Sequence, residues 1–107
     1  MARYGKETTL SPRRVLRLAR AFFGPGGELG LEITKDDLSA IGFAGGGGGV
    51  EVTALPRVGD FTRTDVTILS REFDPWVVRF LGLLSDEERG PGPLARLMAR
   101  LSRRRAR

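Results

Sequence analysis

The sequence predicts a small α+β domain: an antiparallel sheet of about five strands in β-α-β-β-β-β-α order, both helices on one face, with a basic helix after them. Three observations carry this. Two helix starts share one design, Leu10-Ser11-Pro12 and Phe73-Asp74-Pro75. Between them lie short segments of alternating apolar and polar residues, each bounded by turn residues. No stretch between those segments is long enough for a crossover helix, so successive strands pair as hairpins.

The first strand is expected in the loosely alternating Arg-Tyr-Gly-Lys-Glu-Thr-Thr-Leu run at 3–10. Ser11 then offers a side-chain oxygen to free helix amides, and Pro12 is tolerated at the first helical position. Leu10 and Val15 are spaced to staple that start. Val15, Leu18, Ala19, Phe22 and Phe23 form the apolar face, and Arg13, Arg14, Arg17 and Arg20 take most of the rest. Gly-Pro-Gly-Gly at 24–27 ends the helix.

Leu29, Leu31 and Ile33 alternate as a strand, with a turn at Thr-Lys-Asp-Asp, 34–37, and a partner strand at 38–43. Val-Glu-Val-Thr-Ala-Leu at 50–55 alternates cleanly, 56–60 turns the chain, and 62–70 is rich in β-branched residues. The second helix reads Phe73 as the apolar lead, Asp74 as the cap, Pro75 as the first turn and Val78 as the staple partner. Its broad apolar set, Trp76, Val77, Phe80, Leu81 and Leu84, predicts burial. Ser-Asp-Glu-Glu at 85–88 fits a capping box on one further turn, and Gly90-Pro91-Gly92-Pro93 breaks the structure. The expected organisation is a compact domain at 1–89, a hinge at 90–93 and a basic amphipathic segment at 94–107.

Composition removes several kinds of chemistry. The 107 residues, 40% of them hydrophobic, suit one modest core. Without cysteine there are no disulfides or thiolate metal sites, and without histidine the commonest metal ligand and general base are missing. The Ala-Gly-Gly-Gly-Gly-Gly run at 44–49 is no phosphate loop, because Val50-Glu51 stands where Gly-Lys-Ser/Thr is required. It reads as a flexible hairpin connection that admits positive φ. The carboxylate pairs Asp36-Asp37, Glu72 with Asp74, and Glu87-Glu88 each have a turn, cap or capping-box role. The chain is therefore expected to be non-catalytic, with no metal and no cofactor. No apolar run is long enough for a bilayer and no apolar leader precedes residue 10, so the sequence predicts a soluble, cytoplasmic chain.

The aromatic residues Phe22, Phe23, Phe43, Phe61, Phe73, Trp76 and Phe80 fall mostly on expected inward faces. Of these, Phe22, Phe43, Trp76 and Phe80 are the candidates to line a small apolar ligand pocket between sheet and second helix.

Glu-Thr-Thr-Leu-Ser-Pro-Arg-Arg-Val followed by a strand run and a final Phe-Asp-Pro-Trp helix resembles a shortened START/Bet v 1-like (helix-grip) domain. The resemblance covers element order over residues 4–84. It implies a module that binds a hydrophobic small molecule, or an accessory role, and assigns no catalytic residue.

The net charge of +5 is unevenly divided. Residues 1–88 hold 11 basic and 13 acidic side chains, net −2, whereas 89–107 hold seven arginines and no acid. Within that segment Leu94, Leu97, Met98 and Leu101 share a helical stripe, and Arg96, Arg100, Arg103 and Arg107 run along another face. Such a helix is marginal alone in water and needs a surface. The candidates are its own domain, a protein partner or second copy, an anionic membrane surface, and nucleic acid. Arg96, Leu97, Arg100, Leu101, Arg103 and Arg104 are the expected contacts. The leading expectation is a binding or accessory module using this segment for protein or oligomer contacts. The alternative is phosphate-backbone binding by these arginines together with those of the first helix.

Overall fold

The computed structural model describes residues 1–84. The elements run β1 (Ala2–Thr8), α1 (Pro12–Phe23), β2 (Glu32–Asp36), β3 (Ala40–Gly45), β4 (Gly48–Arg57), β5 (Asp60–Arg71) and α2 (Asp74–Leu83). The five strands form one sheet in the order β1-β5-β4-β3-β2, with every neighbouring pair antiparallel. This is the expected α+β architecture in the expected element order. The expected hinge at 90–93 and the basic segment at 94–107 lie outside the described residues.

Alternation along each strand decides which face is covered. Val50, Val52 and Ala54 of β4, Val66 and Ile68 of β5, and Ile41 and Phe43 of β3 point into the helix layer and are at most 5% exposed. The other face carries Glu51, Thr53, Arg63, Asp65 and Thr67, the polar alternates of the same strands. Its charges pair across strands: Lys35 Nζ lies 3.0 Å from Glu51, and Glu7 receives both Arg57 and Arg63. Exposed pairs of this kind each contribute about 0–1 kcal/mol. The covered face supplies most of the folding free energy.

α1 begins as expected. The Arg14 amide donates to Ser11 Oγ at 3.2 Å, Pro12 occupies the first turn, and Leu10 and Val15 are both buried. Replacing Ser11 with Ala is expected to cost about 0.5–2 kcal/mol, read as a shift of the urea midpoint with unchanged slope.

α2 starts differently from its sequence reading. Phe73, not Asp74, is the cap residue and makes no side-chain cap bond. Asp74 is instead engaged by two hydroxyls, Tyr4 Oη at 2.9 Å and Ser70 Oγ at 2.9 Å, which tie the helix start to β1 and β5. Val78 is 57% exposed and forms no staple. Lys6 Nζ donates to the Leu81 carbonyl at 2.7 Å, which also accepts from the Leu84 amide at 3.1 Å at the helix end. With Tyr4 at its start and Lys6 near its end, α2 climbs along β1 in the direction of Thr8.

Two turns also shift. The second strand continues through Lys35 and Asp36, so the turn falls at 37–39, where Asp37 Oδ1 accepts from the Ser39 and Ala40 amides at 3.0 and 2.9 Å. The glycine run is mostly strand. Only Gly46 and Gly47, with φ of 58° and 83°, form the turn, a two-residue connection between β3 and β4.

Candidate functional site

The four pocket candidates go to different places. Phe43 and Phe80 are buried, and Phe22 is half-buried between them and solvent. Phe22 and Phe80 lie 5.5 Å apart, Phe23 and Phe80 5.3 Å, and Phe23 and Phe43 5.6 Å, all tilted. These four rings fill the space between helices and sheet with one another. Trp76 sits at the margin, half-buried, with the Arg79 guanidinium 4.9 Å from its ring centre. The rings make up the core, in keeping with its expected packing. Phe61 departs from that expectation and is 83% exposed.

Arg96, Leu97, Arg100, Leu101, Arg103 and Arg104 lie outside the described residues. Arg13, Arg14, Arg17 and Arg20 can be placed, and they define a surface that the sequence did not reveal. α1 packs over β3 and β4, so its outer side faces edge strand β2 and the 37–39 turn across a groove. At its upper end the groove measures about 270 Å³ and combines Arg13, Arg17 and Arg20 with Leu16, Leu38 and Ile41. Lower down, Arg17 and Arg20 recur beside Ala21, Pro25 and Ile33, so the concavity continues along the helix. The i, i+4, i+7 spacing of the three arginines aligns them on one rim.

Charges within the groove are unequally committed. Arg20 pairs with Asp36. Asp37 is spent on its own turn: the Ser39 amide chiefly, with that of Ala40, holds its carboxyl below the usual carboxylate range. Arg13 and Arg17 are exposed and make no ion pair among the described residues. The result is an apolar floor with two available guanidinium groups, suited to carboxylates on a partly apolar ligand.

A second feature adjoins it. The β4–β5 hairpin projects past the 37–39 turn, and three β5 residues, Phe61, Thr62 and Arg63, bulge opposite the single step Pro56–Arg57. Val58 at the tip is 93% exposed, Leu55 50% and Leu38 97%. The Ala54 amide donates to the Ser39 carbonyl at 2.9 Å, which ties the 37–39 turn to β4. One end of the sheet thus presents Leu38, Leu55, Val58 and Phe61 to solvent. Another concavity, on the uncovered face and about 250 Å³ over Gly42, Ala44 and Gly49, is flanked by Lys35 and Glu51, which neutralise each other.

Asp60 at the hairpin tip is held below the usual carboxylate range, chiefly by the Thr62 hydroxyl and amide. For a lowered carboxyl the added stability is present above the unfolded value and lost as pH falls through the folded one. Thermal melts are therefore expected to hold above about pH 4 and to fall below it. The Asp37→Asn/Asp60→Asn double variant is expected to show a shallower acid decline; an unchanged slope would contradict both assignments.

Among the described residues no cluster of three acidic side chains is arranged to hold a metal ion, and no helix is long and apolar enough to cross a membrane. The chain matches no protein-family model, no curated protein and no solved structure.

Proposed function

We propose that this chain is a non-catalytic binding module that holds an acidic, partly apolar protein segment in the groove between α1 and β2. The observation that carries this reading is the pair of uncommitted guanidinium groups, Arg13 and Arg17, above a floor of Leu16, Ile33 and Ile41. The arginines of residues 89–107 enlarge the same preference for acidic partners. Phosphate-backbone binding draws on the same cations. Asp36 and Asp37 on the facing wall set it second, because a continuous row of phosphates would have to pass them.

The test is a titration of the full chain with a fluorescein-labelled peptide of alternating Glu and Leu, run beside single-stranded and duplex DNA and phosphatidylserine vesicles. Binding of the peptide with amide shifts along α1 and β2 is expected. Arg13→Glu/Arg17→Glu is expected to weaken it at least about tenfold, close to 1.4 kcal/mol. Binding to DNA with a steep salt dependence and none to the peptide would overturn the reading in favour of nucleic acid. Binding to vesicles alone would overturn it in favour of a membrane surface.

A further inference from the structure

The two outer strands of the sheet are built differently. β2 is five residues long, carries charge at Glu32, Lys35 and Asp36, and breaks register with β3 between Ile33 and Lys35. Brevity, charge and a bulge are common means of keeping a sheet edge from pairing with another chain. β1 lacks the brevity and the bulge. Its seven residues pair one for one with β5, without irregularity or proline, and β5 is its only neighbour in the sheet. Lys6, which could blunt this edge, is drawn over α2 to the Leu81 carbonyl.

We infer that β1 is a dimerisation edge, paired antiparallel with β1 of a second copy about a twofold axis at Gly5. The two sheets then join into one of ten strands. In this register Arg3 stands opposite Glu7 of the second copy, Tyr4 opposite Lys6, Ala2 opposite Thr8, and Gly5 opposite itself.

The strand is self-complementary in backbone, charge and shape. Opposed residues are an even number of positions apart, so the alternate amides and carbonyls that β5 leaves free meet the same alternate set. On the uncovered face, Arg3 is exposed and makes no ion pair among the described residues. It meets Glu7, which stands opposite a second carboxylate, Asp65, in β5. Glu7 already receives Arg57 and Arg63, and a carboxylate can accept more than two such bonds. On the helix face, the Lys6 ammonium comes beside Tyr4 of the second copy, whose hydroxyl is bonded to Asp74. At the axis Gly5 is exposed and presents no side chain to its counterpart. A twofold at a neighbouring residue shortens the pairing and parts Arg3 from Glu7. These matches are of the strand with itself, which selects a second copy over an unrelated strand. The dimer also sets its two α1–β2 grooves at opposite ends of one sheet.

The test uses the full chain. Sedimentation equilibrium from micromolar towards millimolar concentration is expected to show the mass rising to twice that of one chain. The sequence has no cysteine, so Gly5→Cys supplies a single thiol, and a Cβ there meets only the Val66 carbonyl oxygen at 3.9 Å. Opposed residues of antiparallel strands lie at disulfide distance, so mild oxidation is expected to cross-link Gly5→Cys into a dimer. Thr34→Cys, on the β2 edge, is expected to stay uncross-linked. Arg3→Glu is expected to weaken association at least about tenfold by setting like charges opposite each other twice. Glu7→Arg is expected to do the same alone, and a mixture of the two variants to recover the dimer, because both cross-strand pairs are then opposite in sign.

A monomer at every concentration, cross-linking of Thr34→Cys in place of Gly5→Cys, or a dimer indifferent to Arg3→Glu would each overturn the inference. Should Glu7→Arg fail to fold, the cross-link and Arg3→Glu decide the matter. None of these residues lines the groove beside α1, so peptide binding there is read separately.

Discussion

Phe80→Ala is expected to destabilise the domain by about 3–5 kcal/mol, a large share of the roughly 5–15 kcal/mol that domains of this kind possess. Phe80 is fully buried and is the one ring that touches both Phe22 and Phe23 across the helix–helix contact. Removing it leaves a void where α1, α2 and the sheet meet, and Phe22, tethered at the end of α1, cannot swing in without leaving Phe23. At about 4–8 °C per kcal/mol, the melting temperature should drop by more than roughly 10 °C. Val78→Ala, on the exposed side of the same helix, is the control and should move stability by about 0.5 kcal/mol or less. Equal effects from the two would mean that α2 does not pack as described.

Gly48→Ala carries the second large effect, for a different reason. A methyl group there would point at the Arg71 carbonyl oxygen, the Phe73 ring at 2.8 Å and Glu72 Cβ at 2.9 Å. The first obstacle is backbone, and it belongs to the point where β5 turns into α2. Glu72 already sits at φ 73°, so this junction has little freedom to retreat. The cost is expected near the upper end of the 1–3 kcal/mol range typical of overpacking, or about 3 kcal/mol. Gly47, two positions from Gly49 in the same run, has φ 83° but open space around it. Gly47→Asn should therefore cost less, about 1 kcal/mol or below, because asparagine tolerates that backbone region. Denaturant titration of the two variants orders them; the reverse order would mean that the turn, and not the close approach, fixes the glycine requirement.

The contrast between these neighbours shows how far the sequence could be read. Ser11-Pro12 with Leu10 and Val15 announced α1 because every partner lies within five residues. The same pattern at Phe73-Asp74-Pro75 misplaced the cap, because Asp74 is claimed by Tyr4, seventy residues away in sequence. Gly46 to Gly49 look alike as letters, yet two form a turn and two are strand residues under close packing. The groove was hidden for a related reason. Periodicity gave the arginine face of α1, but only the sheet order sets Asp36, Leu38 and Ile33 opposite it. The exposed end was hidden because alternation in 50–55 gives no notice that the hairpin outruns its neighbours. A solvent-facing Leu38 inside the Asp36-Asp37-Leu38-Ser39 turn was the nearest available signal.

The position of β1 governs the order in which the molecule can assemble. β2 to β5 form a meander of consecutive hairpins, each closable as soon as its second strand exists. β1 has one partner only, β5, joined in a register that runs from Thr8↔Thr64 to Ala2↔Ser70. During synthesis the first strand leaves the ribosome with nothing to pair with, and it must wait until nearly the whole domain has emerged. Closure of the sheet by its earliest strand is thus a late event, and the Tyr4 and Lys6 bonds to α2 come later still. The β2–β5 meander should therefore close hairpin by hairpin, with β1 and its bonds to α2 following it.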